Sequence, residues 1–233
     1  MQKRSFLAIV PARGGSKRLK RKNILNFNGK PLINWTIEAG LKSKNIDEIV
    51  ITTDNEEIKQ ISNVVGVNII NRPDILATDT ASSFDVVKHV LDNVSKKYDF
   101  IILLQPTSPL RTYYHIDDAV DLLIQKDADA VVSVSKMDHN PLWSNTLPKD
   151  KSMKNFISKE LDNIRSQDLE PYYQLNGAIY ICKTDILLKE KKFMFDDNIF
   201  AYEMDKKSSI DIDDEMDFKI AELYSVNNNV KTD

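Results

Sequence analysis

"FLAIVPARGGSKRLKRKN", residues 6–23, sets a short apolar run against two glycines and a burst of positive charge. The run "FLAIV" (6–10) reads as a buried strand, and it is not alone. "EIVITT" (48–53), "VNII" (67–70), "FIILLQ" (100–105) and "AVVSV" (130–134) are apolar and largely β-branched. Continuous runs of this kind suit strands covered on both faces of a sheet. Helical patterns lie between them. In "PLINWTIEAGL", Pro31 stands where a first helical residue can lack its N–H, and Leu32, Ile33, Ile37 and Leu41 form one stripe. Phe84, Val87, Leu91 and Val94 repeat the spacing, as do Ile116, Ala119, Val120 and Leu123. Strand, helix, strand in succession predicts right-handed βαβ units and a doubly wound, mostly parallel α/β sheet.

Global properties narrow the function. A chain of 233 residues suits one large α/β domain and can bury a sizeable core. With 42% hydrophobic and 29% charged residues the composition is that of an ordinary globular protein. A formal net charge of −3 argues against a general nucleic-acid binder. The one cysteine, Cys182, cannot close an intramolecular disulfide, which fits a reducing compartment. "FLAIV" is too short for a signal-peptide core, and no apolar stretch approaches the roughly 18 residues of a membrane span. A cytoplasmic protein with no membrane partner is therefore expected.

The alternation breaks near residue 138. From there to 175 the chain is polar, carries three prolines and holds no period, and a strand signal resumes at "GAIYI" (177–181). So long an excursion is uncommon inside a compact domain. The stretch 138–175 reads as an inserted subdomain, with a mobile surface loop as the alternative.

Five basic side chains occupy six consecutive positions, 17–22, directly after the first strand. Ligands of open α/β sheets gather beyond the carboxyl ends of strands. Gly14 and Gly15 would let backbone N–H groups approach a phosphate, Ser16 adds a donor, Arg13 a bidentate fork and Lys22 a point charge. A nucleoside triphosphate would account for such charge. The stretch lacks both the G-x-x-x-x-G-K-[ST] and the G-x-G-x-x-G spacing, which disfavours common ATPases and dinucleotide enzymes. A solvated basic surface is the alternative. In "SIDID" (209–213), an extended backbone would turn Asp211 and Asp213 to one face and Ile210 and Ile212 to the other. Two carboxylates on one face repel unless a cation lies between them, and Mg²⁺ suits carboxylates combined with substrate phosphates. Asp213 or Asp214 could instead cap the helical pattern that follows.

"PARGGSKRLKRKN" resembles the nucleotide-binding signature of the acylneuraminate cytidylyltransferases, which join CMP from CTP to a nine-carbon 2-keto sugar acid. "RPDILATDTASS" (72–83), "LLQPTSPLRT" (103–112), "LNGAIYI" (175–181) and "SIDIDDEMDF" (209–218) agree with that family in order. The likeness is to the synthetase portion, without the phosphatase extension of eukaryotic members. It implies a Rossmann-like nucleotidyltransferase fold, CTP and a nine-carbon sugar acid as substrates, Mg²⁺ as cofactor, and a homodimer built by the inserted segment. The activated sugar of such enzymes serves cell-surface polysaccharide synthesis.

Residue by residue, the resemblance implies that Ala12, Arg13, Gly15, Ser16, Lys22 and Asn23 form the CTP loop. It brings Arg72, Ala81 and Ser83 to the cytidine, although Ser82 or Ser83 also reads as a helix cap. It places Gln105, Thr107 and Tyr180 near the sugar acid and Asp211 and Asp213 on the metal. Arg13, Lys22, Asp211 and Asp213 are the expected catalytic set. Arg165 is the candidate for the sugar's carboxylate, reaching a neighbouring subunit's site. Lys20 and Arg21 read as solvated, and Asp54 with Glu57 as a helix cap.

Two departures bear on the substrate. Trp143 stands where some relatives have Lys, and Gln174 and Leu175 where they have Arg. Legionaminic acid, with a less polar tail, thereby competes with N-acetylneuraminate. A 3-deoxy-manno-octulosonate cytidylyltransferase is the nearest competing enzyme, and a non-catalytic nucleotide-sugar-binding homologue is the competing binding module.

Overall fold

The computed structural model describes residues 4–161 and 164–228. Nine strands and six α-helices are assigned among these residues: β1 (Phe6–Pro11), β2 (Asn26–Phe27), β3 (Lys30–Pro31), α1 (Leu32–Lys42), β4 (Glu48–Thr53), α2 (Glu56–Ser62), β5 (Val67–Asn71), α3 (Ser83–Asn93), β6 (Phe100–Leu104), α4 (Tyr113–Lys126), β7 (Ala130–Lys136), β8 (Tyr173–Lys183), α5 (Thr184–Glu190), β9 (Ile199–Glu203) and α6 (Glu215–Asn228). Seven strands form one sheet in the order β5-β4-β1-β6-β8-β7-β9.

The apolar runs become the centre of that sheet because they are buried twice over. Along β1, Phe6, Ala8 and Val10 face a core layer with Ile33 and Ile37 of α1 and Ile116, Val120 and Leu123 of α4. Leu7 and Ile9 face the opposite layer with Val87 and Val90 of α3 and Leu187 of α5. In β6 the same alternation splits Ile102 and Leu104 from Ile101 and Leu103. The α4 stripe is buried as its spacing predicts, whereas Leu41, at the end of the α1 stripe, is exposed. Pro31 is the N-cap of α1 rather than its first residue.

β1 pairs in parallel with β4 on one side and β6 on the other. The chain thus moves outward from β1 through β4 to β5, then returns to the far side of β1 as β6. This reversal opens a crevice beyond the carboxyl ends of β1 and β6. β8 runs antiparallel to both β6 and β7, so the sheet is mostly but not wholly parallel. Between β7 and β8 the register slips: Val132 faces Tyr180, but Val134 faces Leu175. The bulge is pinned by Ser133, whose hydroxyl lies 2.6 Å from Asn176 Oδ1 and accepts the N–H of Ile179 at 2.8 Å.

Strand β8 begins at Tyr173 and so takes in the last residues of the stretch read as inserted. Residues 162 and 163 of that stretch lie outside the described ones. The remainder forms short 3-10 turns, with Leu161 as its one buried apolar side chain among the described residues, while Leu142, Trp143, Leu147 and Met153 are exposed.

Candidate active site

A cavity of about 560 Å³ occupies the crevice, walled by the loop after β1, the segment before α3, the end of β6 and the residues ahead of α6. It brings together Arg13, Ser16, Lys22, Asn23, Arg72, Ala81, Ser83, Gln105, Thr107, Asp211 and Asp213. Ala12 lies behind it in the core, its N–H bonded to Thr52 O at 3.0 Å. Gly15 borders open space. Tyr180 is half-buried against Phe193, and Arg165 is exposed; neither lines this cavity.

The loop after β1 is shaped by its own sequence. Asn23, buried, donates from Nδ2 to Arg13 O at 3.0 Å. Gly14 passes so close to Asn55 that a Cβ would meet that side chain at 2.9 Å. Its N–H donates to Asp54 Oδ1 at 2.9 Å, so this amide is already engaged and does not await a phosphate. Asp54 therefore is not the cap of α2: Asn55 is, accepting from Ile58 N at 3.0 Å, and Glu57 pairs with Arg21 at 2.6 Å. Asp and Asn are equally good caps, so the neighbours Asp54 and Asn55 read alike in one dimension; the fold decides which of them reaches the loop.

Four of the cations that face the cavity are held by two carboxylates. Asp79 pairs with Arg13 at 2.7 Å and with Lys17, and those two cations hold its pKa below the usual carboxylate range, Lys17 foremost. Asp213 pairs with Arg18 at 2.9 Å and Lys22 at 3.5 Å. Lys22 also donates to Ile212 O, which ties the loop to the residues ahead of α6. Lys20 is exposed and makes no ion pair among the described residues. Arg72 is buried, donates to Thr52 O at 2.6 Å, and its pKa falls to about 10, chiefly through lost solvation.

Around "SIDID" the backbone is not part of a sheet, yet the alternation holds. Ile212 is buried with Phe27, Leu32, Leu110 and Ala221, and its N–H donates to Thr107 O at 2.8 Å. Asp211 and Asp213 turn the other way and line the cavity. Asp214 caps α6, accepting from Met216 N and Asp217 N, which leaves the Asp213 carboxylate to the loop cations. Asp211 keeps accessible surface toward the cavity, but protein closes round its carboxylate, and the lost solvation raises its pKa. The Thr107 hydroxyl, buried without a well-formed hydrogen bond, opposes the rise, and the Asp213 charge adds to it. In the same way Ser82, not Ser83, caps α3 through Asp85 N at 3.1 Å, leaving Ser83 on the cavity wall.

Gly177 packs behind two of the lining side chains. Its φ is +73°, and a Cβ there would sit 3.5 Å from Asp211 Oδ2 and 3.7 Å from Gln105 Oε1. Beneath it Arg111, fully buried, donates from Nη1 to Gln105 O at 3.1 Å and Ala178 O at 3.0 Å, fastening the end of β6 to the β8 bulge. The sequence alone does not single out the roles of Asp79, Asp54 and Gly177. Asp79 and Gly177 lie within the motifs quoted above, so their positions are marked there although their contacts are not.

A crevice of about 560 Å³ lined by several cations, at the reversal of a doubly wound sheet, is where such folds bind nucleotides. The chain belongs to the cytidylyltransferase family, whose model matches residues 7–227. It is 40% identical over 217 residues to an N-acylneuraminate cytidylyltransferase of Escherichia coli O18:K1:H7, covering 93% of this chain and 51% of that protein. The chain thus spans about half the length of that relative. It is 37% identical to a CMP-N,N'-diacetyllegionaminic acid synthase of Legionella pneumophila, over 93% of this chain and 94% of the other. A solved CMP:2-keto-3-deoxy-manno-octonic acid synthetase in complex with CTP superposes with a TM-score of 0.73 at 17% identity, covering 96% of this chain and 99% of that one, a likeness of fold alone. Among the described residues, no helix is long and apolar enough to cross a membrane.

Proposed function

We propose that this protein transfers CMP from CTP to the anomeric hydroxyl of a nine-carbon 2-keto sugar acid and releases pyrophosphate. The observation that carries the reading is the convergence of Arg13, Ser16 and Lys22 with the Asp211/Asp213 pair across one crevice. The sugar oxygen forms a bond to the α-phosphorus, the bond from that phosphorus to the β-phosphate oxygen breaks, and the hydroxyl proton is lost to the medium. Arg13 and Lys22 neutralise the triphosphate, and Ser16 donates to it. Preorganised charge of this kind contributes most where charge develops in the transition state. Arg72, Ala81 and Ser83 face the cytidine, and Gln105 and Thr107 the acceptor.

Two carboxylates bordering a phosphate cavity are a donor set that suits Mg²⁺, which takes one or two of them together with substrate oxygens. Asp211 and Asp213 would hold the ion. When bound, it supplies charge neutralisation at the phosphates.

Support for the sugar class comes from relatives named for N-acylneuraminate and for diacetyllegionaminate. Trp143, Gln174 and Leu175 favour the less polar legionaminate. The exposed apolar side chains of the 138–171 stretch support a homodimer in which that stretch meets a second chain. Arg165, exposed on its own chain, would then serve a neighbouring site. A cytoplasmic setting suits an enzyme that consumes CTP.

Pyrophosphate release from CTP and Mg²⁺ should be measured against N-acetylneuraminate, di-N-acetyllegionaminate, pseudaminate and 3-deoxy-manno-octulosonate. Turnover with a nine-carbon acid is the expected result. Turnover with the octulosonate alone, or CTP binding with no release, would reject the reading.

A further inference from the structure

Two parts of the nucleotide site meet at the end of one strand. β4 lies between β1 and β5 in the sheet, so its last residues border the loop after β1 on one side and Arg72, just beyond β5, on the other. Thr52 O accepts the N–H of Ala12 at 3.0 Å and Arg72 Nη2 at 2.6 Å, and Thr53 O accepts the N–H of Arg72 at 2.8 Å. Asp54 comes next in the chain. Its Oδ1 accepts the N–H of Gly14 at 2.9 Å, yet the residue does not line the nucleotide cavity. Nor is it engaged by α2, which Asn55 caps. A lone N–H needs only an oxygen acceptor, and an asparagine there would supply one. The negative charge has a different use. Arg72 is 4% exposed and pairs directly with no carboxylate among the described residues. Lost solvation pulls its pKa down, the Asp54 charge opposes that shift, and the neighbouring Arg13 charge adds to it. A buried charge is costly without an opposite charge near it, and Asp54 is the carboxylate placed to supply one.

We propose that Asp54 is a positioning residue coupling the two halves of the CTP site: it fixes the loop after β1 through Gly14 and orients the buried Arg72 guanidinium, without itself touching the nucleotide. This rests on the cytidylyl-transfer reading and deepens it. In that reading the loop presents Arg13, Ser16 and Lys22 to the triphosphate, whereas Arg72 faces the cytidine. The two duties of the one carboxylate are therefore separable. Exchange for Asn removes the charge that balances Arg72 and keeps an oxygen for Gly14; exchange for Ala removes both. Gln105 and Thr107, on the acceptor side, follow β6, which lies across β1 from β4 and away from this junction.

The test is calorimetric titration of the full chain with CTP and with CMP, both in Mg²⁺, comparing wild type with Asp54→Asn, Asp54→Ala and the exposed control Lys20→Met. Urea midpoints check that each variant is folded. Asp54→Asn should weaken CTP and CMP by a similar factor, about fivefold, and Lys20→Met should match wild type. Asp54→Ala should weaken CTP by about fivefold more, as befits a further lost hydrogen bond, while CMP stays near its value in Asp54→Asn. At saturating CTP the KM for the sugar acid should be unchanged in Asp54→Asn. Unchanged CTP affinity in Asp54→Asn would overturn the assignment, and this isosteric variant decides alone if Asp54→Ala does not fold. A loss in Asp54→Ala that falls equally on CTP and CMP, or a sugar KM that rises in step with the loss of CTP affinity, would overturn it too. A wild type that binds CTP with this variant pattern, yet releases no pyrophosphate with any nine-carbon acid, would support the assignment while rejecting the transfer. A wild type that binds no CTP would overturn both.

Discussion

Lys22 is the residue at which the loop and the carboxylate pair meet, through Ile212 O and Asp213. Replacing it by methionine keeps the stem and removes the charge. If the ammonium steadies the reacting phosphates, Lys22→Met should lower kcat by roughly a hundredfold or more, the scale of losing one preorganised donor. Circular dichroism should report an unchanged fold. Gly177 offers a test of conformation rather than charge. A methyl there meets no clash, but φ of +73° is costly for any residue with a Cβ. Gly177→Ala should lose about 1–2 kcal/mol in urea unfolding, and an unchanged midpoint would contradict the left-handed requirement. At this scale Arg13, Lys22 and the Asp211/Asp213 pair were legible because their chemistry is local, a fork, a point charge and an alternating pair of carboxylates, whereas the Gly14 amide expected to face a phosphate is taken by Asp54. Asp79 was not legible, because its partners Arg13 and Lys17 lie far away in the chain and only the fold brings them near.

Among elements, α4 carries a titratable cap. Thr112 N donates to His115 Nδ1 at 3.0 Å, so the imidazole acts as an acceptor. Burial lowers its pKa below the ordinary value of 6.5; Asp205 and Asp118 oppose this shift and Arg111 reinforces it. The unfolded chain therefore takes up the proton first as pH falls. Stability from the neutral ring is present in full above about pH 6.5 and is lost as pH drops through the lowered pKa. Urea midpoints of wild type should fall more steeply than those of His115→Gln over that acid range; parallel profiles would contradict this. Five of the sheet's strands, β1, β4, β5, β6 and β7, were plain from their apolar runs. The antiparallel entry of β8 between β6 and β7 was not, since a strand buried on both faces reads the same in either direction. β9, a half-exposed edge strand, lacks such a run, and α2 and α5, at seven residues each, are too short to establish a helical period.

For the whole molecule, the 138–171 stretch presents Leu142, Trp143, Leu147 and Met153 to solvent on a single chain. Light scattering should return the mass of two chains, and Trp143→Glu with Leu147→Glu should shift it toward one; a wild-type monomer would contradict the assembly. The polar, aperiodic character of that stretch marked it as separate, but nothing in one chain's sequence states what covers it. The central claim is the bond made and the bond broken at the α-phosphorus. Phosphorus NMR of CTP, Mg²⁺ and a nine-carbon 2-keto sugar acid with the protein follows both. The account predicts that CTP disappears as a CMP–sugar phosphodiester and pyrophosphate appear in equal amounts, whereas persistent CTP, or free CMP with no sugar adduct, would contradict it.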